Sequence, residues 1–368
     1  MGDKTVLILA NDAKTLLLFR REVLEELLRH DCRVIVALPP DPAIASLREI
    51  GCEIVETRVN RRGMNPFQDI NLLCRYWRLI RSIRPSVVLT YTIKPNVYGG
   101  MAARWLGVPS MATITGLGTA VQNPGPLRLL TLFLYRRGLK GAKRVFSQNN
   151  AIEEILLKER ISVPEKIVRV PGSGVNLQKH CLQPYPEDDG MTRFVFIGRL
   201  MRDKGVRELA RAARQIKEEF PNTSFEVLGG YEEQYESLID ALCREGTINY
   251  AGYQNDVRPF LARSHAIVLP SYHEGMANVL LEAAAAGRAI LASAIPGCEE
   301  TFDEGISGIG FRPHDAEDLT RALRQFIELP YLQKERMGLA GRKKMETNFD
   351  RRIVVEKYLQ EVLSSKNL

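Results

Sequence analysis

Residues 193–205 read RFVFIGRLMRDKG. The run Arg193–Ile197 is rich in β-branched and aromatic side chains, the composition of a strand buried on both faces. Gly198 follows, and an amphipathic helical pattern occupies about 204–219. Strand, glycine turn and helix together open a βα unit. Glycine at a strand end lets the backbone approach a ligand closely. Arg199 and Lys204 place two cations beside a helix N-terminus, whose free N–H groups and dipole already favour phosphate. Two charge-assisted contacts of about 1.5–3 kcal/mol each would hold a diphosphate and stabilise it as a leaving group. A solvated basic loop remains the alternative reading of this turn alone.

Outward from this unit the alternation continues in both directions. Later strands are expected at 224–228, 248–251, 266–269, 289–292 and 308–311, with helices at about 233–245, 256–263, 277–286 and 316–328. Earlier strands are expected at 5–10, 33–38, 53–57, 86–90, 110–114, 144–147 and 167–170, with helices between them. The stretch Pro171–Met191 lacks periodicity and reads as a linker. The pattern predicts an α/β chain with two Rossmann-like, doubly wound parallel-sheet domains facing a cleft. The boundaries expected are 1–180, 181–350 and a terminal helix at 351–368 that packs back toward the first domain. Ligands in such sheets bind outside the carboxyl ends of the strands.

Several function classes are excluded. The loop after the first strand, Asn11-Asp12-Ala13-Lys14-Thr15, has no glycine, so the dinucleotide fingerprint is missing, and no P-loop pattern occurs. Six cysteines without a CxxC pair disfavour a zinc ribbon, a thioredoxin site or a disulfide scaffold, and fit a reducing cytoplasm. No apolar run is long enough to span a membrane, and Val6–Ala10 is too short for a signal peptide. Val6 also breaks the myristoylation pattern. The scattered histidines lack metal-ligand spacing.

Charge is divided unevenly. Residues 1–180 hold 27 Lys+Arg and 15 Asp+Glu, whereas 181–368 hold 24 and 29, so +12 faces −5. From Thr57 to Ile152 there are 15 basic residues and one acid, Asp69. Such a field attracts nucleic acid, anionic lipid or a phosphorylated substrate. Within it, 125–143 reads as one helix on which Arg136, Lys140, Lys143 and, just beyond it, Arg144 share a face, continued by Leu129, Leu132 and Phe133. That face suits an anionic membrane surface, at about 1 kcal/mol for each basic residue. A core helix with leucines against a sheet is the other reading, and the two are compatible.

A second constellation follows the strand at 266–269: Ser271-Tyr272-His273-Glu274-Gly275-Met276-Ala277-Asn278-Val279-Leu280-Leu281-Glu282. Met276–Asn278 is expected to open a helix with free N–H groups. Glu282 then lies at most about 12 Å along the axis from Glu274. Flanked by leucines and alanines, the Glu282 carboxylate needs a partner.

With these residues in hand, the chain resembles the retaining glycosyltransferases of family 4, which have the GT-B fold. Glu274 and Glu282 match that family's E-x7-E signature, and Gly198-Arg199-Leu200 with Lys204-Gly205 matches its diphosphate turn. The segments Pro171–Asn176 and Gly252-Tyr253 with Asp256-Val257 agree, so the likeness spans nearly the whole chain. The resemblance implies that Arg199 and Lys204 grip the donor diphosphate, that Glu274 contacts the transferred sugar, and that Glu282 binds ribose hydroxyls. It also places Gly198, Tyr253 and the backbone of Gly275, Met276, Ala277, Asn278 and Val279 around the donor. On the acceptor side it suggests Lys94, Asn96, Thr115 and Gly116, with Asn11 and Arg20 as cleft residues.

One departure stands out. Many members carry a histidine before the glycine of the fifth-strand loop, where this chain has Thr115. The segments Thr115–Gly118 and Asn65–Phe67 resemble instead the α-1,3-N-acetylgalactosaminyltransferases of bacterial undecaprenyl-diphosphate glycan assembly. That likeness implies a UDP-sugar donor, a polyprenyl-diphosphate-linked acceptor, retention, and a peripheral place at the inner face of the bacterial membrane. No cofactor or metal is expected, because no Asp-x-Asp occurs and protein cations take the metal's role. Nucleic acid is not expected as a partner. The rivals are a nucleotide-sugar epimerase of similar build and a non-catalytic nucleic-acid binder.

Overall fold

In the computed structural model, which describes residues 4–59, 65–116, 121 and 125–364, a strand forms at each of the expected places. The first seven are β1 (Thr5–Leu9), β2 (Arg33–Leu38), β3 (Glu53–Glu56), β4 (Val87–Tyr91), β5 (Ser110–Ile114), β6 (Ala142–Ser147) and β7 (Ile167–Arg169). They pair in parallel in the order β3-β2-β1-β4-β5-β6-β7. Alternation along β1 sends Val6 and Ile8 to one face and Leu7 and Leu9 to the other, and all four are buried. Leu16, Val23, Leu24 and Leu27 of the helix Ala13–Arg29 cover the first face, while Leu72, Tyr76 and Ile80 of the helix Pro66–Ile83 cover the second. Burial on both faces is why these strands read as continuous apolar runs.

The later strands are β8 (Thr192–Ile197), β9 (Thr223–Leu228), β10 (Asn249–Gly252), β11 (Ala266–Leu269), β12 (Ala289–Ser293) and β13 (Gly308–Phe311). Their order is β10-β9-β8-β11-β12-β13, again parallel. In each sheet the chain starts in the middle, builds outward to one side, then crosses back and builds the other. The reversal falls between β1 and β4 in the first sheet and between β8 and β11 in the second. Such a switch point leaves a crevice at the strands' carboxyl ends.

The chain divides into two compact units, Met1–Ser173 with Arg352–Leu368, and Gly174–Arg351. The division therefore falls at Ser173, ahead of the 180/181 boundary read from composition. The reason is that Val175 pairs with the later chain: its N–H donates to the Phe349 carbonyl, and the Arg351 N–H donates to the Val175 carbonyl. The helix Arg351–Leu363 packs Val354, Val355, Tyr358 and Val362 into the first unit's core. Tyr358 stacks on Phe146 with ring centroids 4.0 Å apart, and its hydroxyl lies 2.6 Å from Thr113 Oγ1.

The basic helix is shorter than expected. It spans Pro126–Leu139, with Lys140 at its C-cap. Lys143 and Arg144 lie on β6, so they do not extend a helical stripe from Arg136 and Lys140. Gly141, just past the cap, precedes the strand, and the helical spacing ends there.

Candidate active site

The second unit's switch point brings together two loops. Gly198–Gly205 follows β8, and 270–277 follows β11. Close backbone contacts lock the loops to their neighbours. Gly205 has φ +67°, and a Cβ there would sit 2.1 Å from the Pro270 carbonyl oxygen. Gly297, after β12, has φ +87°, and a Cβ there would meet the Glu274 carbonyl at 2.7 Å. Only glycine adopts these conformations at such separations without strain. The Tyr272 N–H donates to the Asp203 carbonyl at 2.8 Å, tying one loop to the other.

Within this frame the Lys204 ammonium donates to the Glu274 carboxylate, and both side chains are largely shielded from solvent. The Ser271 hydroxyl donates to the same carboxylate oxygen at 2.8 Å. Ser271 is an orienting residue that sequence reasoning did not single out; its offset of three residues from Glu274 in the turn was the available signal. Arg199 projects from the same turn, largely exposed, 3.6 Å from Glu232. Gly198 hands its N–H to the Leu228 carbonyl, which fixes where the turn begins. Tyr253 lies just beyond β10 and is exposed.

The following segment departs from expectation. The helix begins at Asn278, not at Met276. The Ala277 N–H donates to the Gly297 carbonyl and the Asn278 N–H to the Met276 carbonyl, so neither is available to a phosphate. Met276 and Ala277 are buried, and Val279 packs on the core. Gly275 lies in the turn beside Glu274. Asn278 Oδ1 is buried without a partner, the one side-chain group of this stretch that a ligand donor could satisfy.

Glu282 is the fifth residue of the helix Asn278–Ala285. Its carboxylate lies 3.9 Å from Nε2 of His180, which the linker carries back to this helix. Burial raises the Glu282 carboxyl to about 7, against the opposing pull of Lys179 and Arg351. Burial and the same neighbouring cations lower His180 to about 4, so it is neutral near pH 7. The Arg342 guanidinium clamps the linker by donating to the carbonyls of His180 and Ala285. His180 stood among the scattered histidines in the sequence, and only tertiary folding brings it to Glu282.

In the first unit the expected acceptor residues separate. Arg20 is buried between Tyr91 and Tyr358, 5.6 and 5.4 Å from their ring centroids, and donates to the Phe19 carbonyl. It is a buried cation whose guanidinium lies over two aromatic rings, with Nε left without a partner among the described residues. Asn96 is also buried, accepting from Thr90 Oγ1 at 2.7 Å and donating to the Thr113 carbonyl at 2.9 Å. It therefore joins β4 to β5 and does not face an acceptor. Lys94 pairs with Asp69 at 2.7 Å, and the Tyr98 hydroxyl donates to the same carboxylate. Asn11, Thr115 and Gly116 lie just past β1 and β5, at the carboxyl edge of the sheet. Leu117 and Gly118 lie outside the described residues.

Of the expected membrane cations, Arg136 pairs with Glu159, and Lys143 donates to the Glu361 carbonyl and the Ser364 hydroxyl. Lys140 is exposed. The helix Pro126–Leu139 nevertheless exposes Leu127, Leu129, Leu130 and Phe133, with Arg137 over the Phe133 ring. Among the described residues no helix is long and apolar enough to cross a membrane, and no cluster of His, Cys, Asp and Glu could hold a metal ion.

Comparison with known proteins agrees with this architecture. Residues 182–344 match the family Glycosyl transferases group 1, and residues 19–172 match the Glycosyl transferase 4-like domain. The chain is 26% identical over 364 residues to the Campylobacter jejuni N,N'-diacetylbacillosaminyl-diphospho-undecaprenol alpha-1,3-N-acetylgalactosaminyltransferase, covering 93% of this chain and 94% of that protein. It is 27% identical over 278 residues to an Escherichia coli UDP-Gal:alpha-D-GlcNAc-diphosphoundecaprenol alpha-1,3-galactosyltransferase, covering 71% of each. In fold it resembles a glycosyltransferase from Rickettsia africae, with TM-score 0.82, 20% identity and full coverage of both chains. It also resembles Anabaena HepE crystallised with UDP and glucose, with TM-score 0.77 and 16% identity, covering 99% and 100%. With a 4-like domain in its amino half, a group 1 domain in its carboxyl half and two doubly wound sheets, the chain belongs to the GT4-type glycosyltransferases of the GT-B fold.

Proposed function

We propose that this glycosyltransferase moves an N-acetylhexosamine or hexose from a UDP-sugar to a polyprenyl-diphosphate-linked glycan, with retention and without a metal. The observation that carries the reading is the Lys204–Glu274 pair at the second unit's switch point, with Arg199 on the same turn. A donor diphosphate entering there meets Arg199 and competes with Glu274 for the Lys204 ammonium. Glu274, held by Ser271, then turns toward the sugar. The developing charge on the departing diphosphate is met by fixed cations, which do the work a divalent metal does elsewhere. Glu282 accepts from the ribose diol in its ionised form. The names of the C. jejuni and E. coli relatives support a lipid-linked acceptor, and the UDP in HepE supports the donor base.

The acceptor's lipid requires a membrane surface. The exposed Leu129, Leu130 and Phe133, with Arg137 and Lys140, form an apolar tip with a cationic edge suited to an anionic leaflet. They replace the stripe that included Lys143.

The test is incubation with a panel of UDP-sugars and synthetic polyprenyl-diphosphate sugars, in the presence of a chelator. Transfer with the anomeric configuration kept and unaffected by chelation is expected. Inversion, strict dependence on added metal, or conversion of the donor without an acceptor would each overturn part of the reading, the last in favour of epimerisation. Tight, salt-sensitive binding of single-stranded RNA without any transfer would replace it altogether.

A further inference from the structure

The first unit holds a cavity of about 430 Å³ that the donor chemistry leaves unused. Pro39, Arg58 and Lys94 reach it from beyond β2, β3 and β4, and Gln68, Asp69 and Arg75 reach it from the helix Pro66–Ile83. It therefore sits at the carboxyl edge of the sheet, beside the switch point. Gln68 and Arg75 are seven residues apart, two turns along one face of that helix.

The charge of the cavity is unbalanced. Asp69 is neutralised by Lys94 and by the Tyr98 hydroxyl. Among the described residues, Arg58 and Arg75 have no hydrogen-bonding or ionic partner, and Arg75 is half-buried. Three cations and one carboxylate leave a charge of +2 in one concave space. Converging guanidinium groups of this kind suit a diphosphate diester, which carries about two negative charges near pH 7. The first turn of the same helix exposes Phe67 at 83% and Ile70 at 59%, three residues apart on one face. An anion seat beside exposed apolar side chains fits an amphiphile better than a soluble phosphate.

Resting on the proposed lipid-linked acceptor, we infer that this cavity binds the acceptor's diphosphate through Arg58 and Arg75, and that Phe67 and Ile70 receive the first isoprene units of its lipid. Lys94 is a positioning residue here, holding Asp69 away from the phosphates.

The probe is farnesyl-diphospho-N-acetylglucosamine, with the full chain. Arg58→Gln with Arg75→Gln should raise the acceptor KM about 100-fold while the UDP-sugar KM stays within about threefold. Phe67→Ser with Ile70→Ser should raise the KM for the farnesyl probe about tenfold but leave that for methyl-diphospho-N-acetylglucosamine unchanged. Circular dichroism and Tm should match the parent, since the substituted side chains are exposed or half-buried. An unchanged acceptor KM in the arginine variant, or an equal rise in the donor KM, overturns the inference. Weakened binding to phosphatidylglycerol vesicles lacking diphosphate, to the same extent as to the probe, also overturns it, because the arginines would then act as general membrane charge. Should the parent show no transfer, the functional reading fails, and equilibrium binding of the farnesyl probe to parent and arginine variant still decides the site: loss of binding in the variant supports it, and no binding by the parent or equal binding by both overturns it.

Discussion

Replacing Glu282 with Gln should make the protein more stable and less able to bind its donor, and the gain should grow with pH. The carboxyl rises from its ordinary value of 4.5 to about 7 in the folded chain because its surroundings are apolar. In the unfolded chain it ionises near its ordinary value. Below pH 4.5 both states are protonated and the site contributes no penalty. Between 4.5 and 7 the unfolded chain loses the proton first, so native stability falls as pH rises, and above 7 the loss is complete. At about 1.4 kcal/mol for each pH unit of the gap, the full loss is about 3.5 kcal/mol. The side chain is 26% exposed, which leaves most of that figure intact. Glutamine stays neutral throughout. The variant should exceed the parent by less than about 1 kcal/mol at pH 5 and by about 2–3 kcal/mol at pH 8. Urea unfolding at the two pH values, analysed at constant m, measures both numbers. UDP-sugar KM should rise more than about tenfold, because an ionised acceptor of ribose hydroxyl protons has been lost. A stability difference that is the same at both pH values would refute the burial argument. An unchanged donor KM would show that Glu282 is carried in the helix for some reason other than the donor.

Lys204→Ala should cost about 2–3 kcal/mol of stability, because it leaves the shielded Glu274 carboxylate without its cation, and should reduce transfer at least about 1,000-fold. Adding Glu274→Gln should restore most of the stability and none of the activity; chemical denaturation with single-turnover assays separates the two. Gly205→Ala should lose about 2 kcal/mol or more, since it meets both a positive φ and the Pro270 carbonyl, and a ΔΔG under about 0.5 kcal/mol would contradict the backbone geometry. Asn96→Ala should destabilise the first unit by about 1–3 kcal/mol through the unsatisfied Thr113 carbonyl, while acceptor KM at low temperature stays at the parental value.

The fold was open to a reader of the sequence because its signals are local. Each strand announces itself as a short run of Val, Ile, Leu and Phe between glycine or polar breaks, and burial on both faces makes those runs continuous. The motifs around Gly198 and Glu274 were equally legible, since a turn between strand and helix occupies a handful of adjacent residues. Where the reading failed, a local pattern was extended past a break that only packing imposes. The basic helix ends at Leu139, and Lys143 lies on the strand β6. Asn96 and Arg20, expected at the acceptor side and the cleft, are buried instead: Asn96 bonds to Thr90 and Thr113, and the Arg20 guanidinium packs against Tyr91 and Tyr358.

What amino-acid order determined by itself was therefore the succession of βα units, the cationic turn and the paired glutamates, all encoded within a few residues of one another. Tertiary structure alone decided that Lys204 holds Glu274 across the switch between β8 and β11, and that His180 returns from the linker to lie beside Glu282. It alone gathered Arg58, Arg75 and Lys94 around one cavity. Those juxtapositions depend on strand order and on where the chain crosses between units. Strand order is set by which faces bury together, a property of the whole chain that no short window of sequence contains.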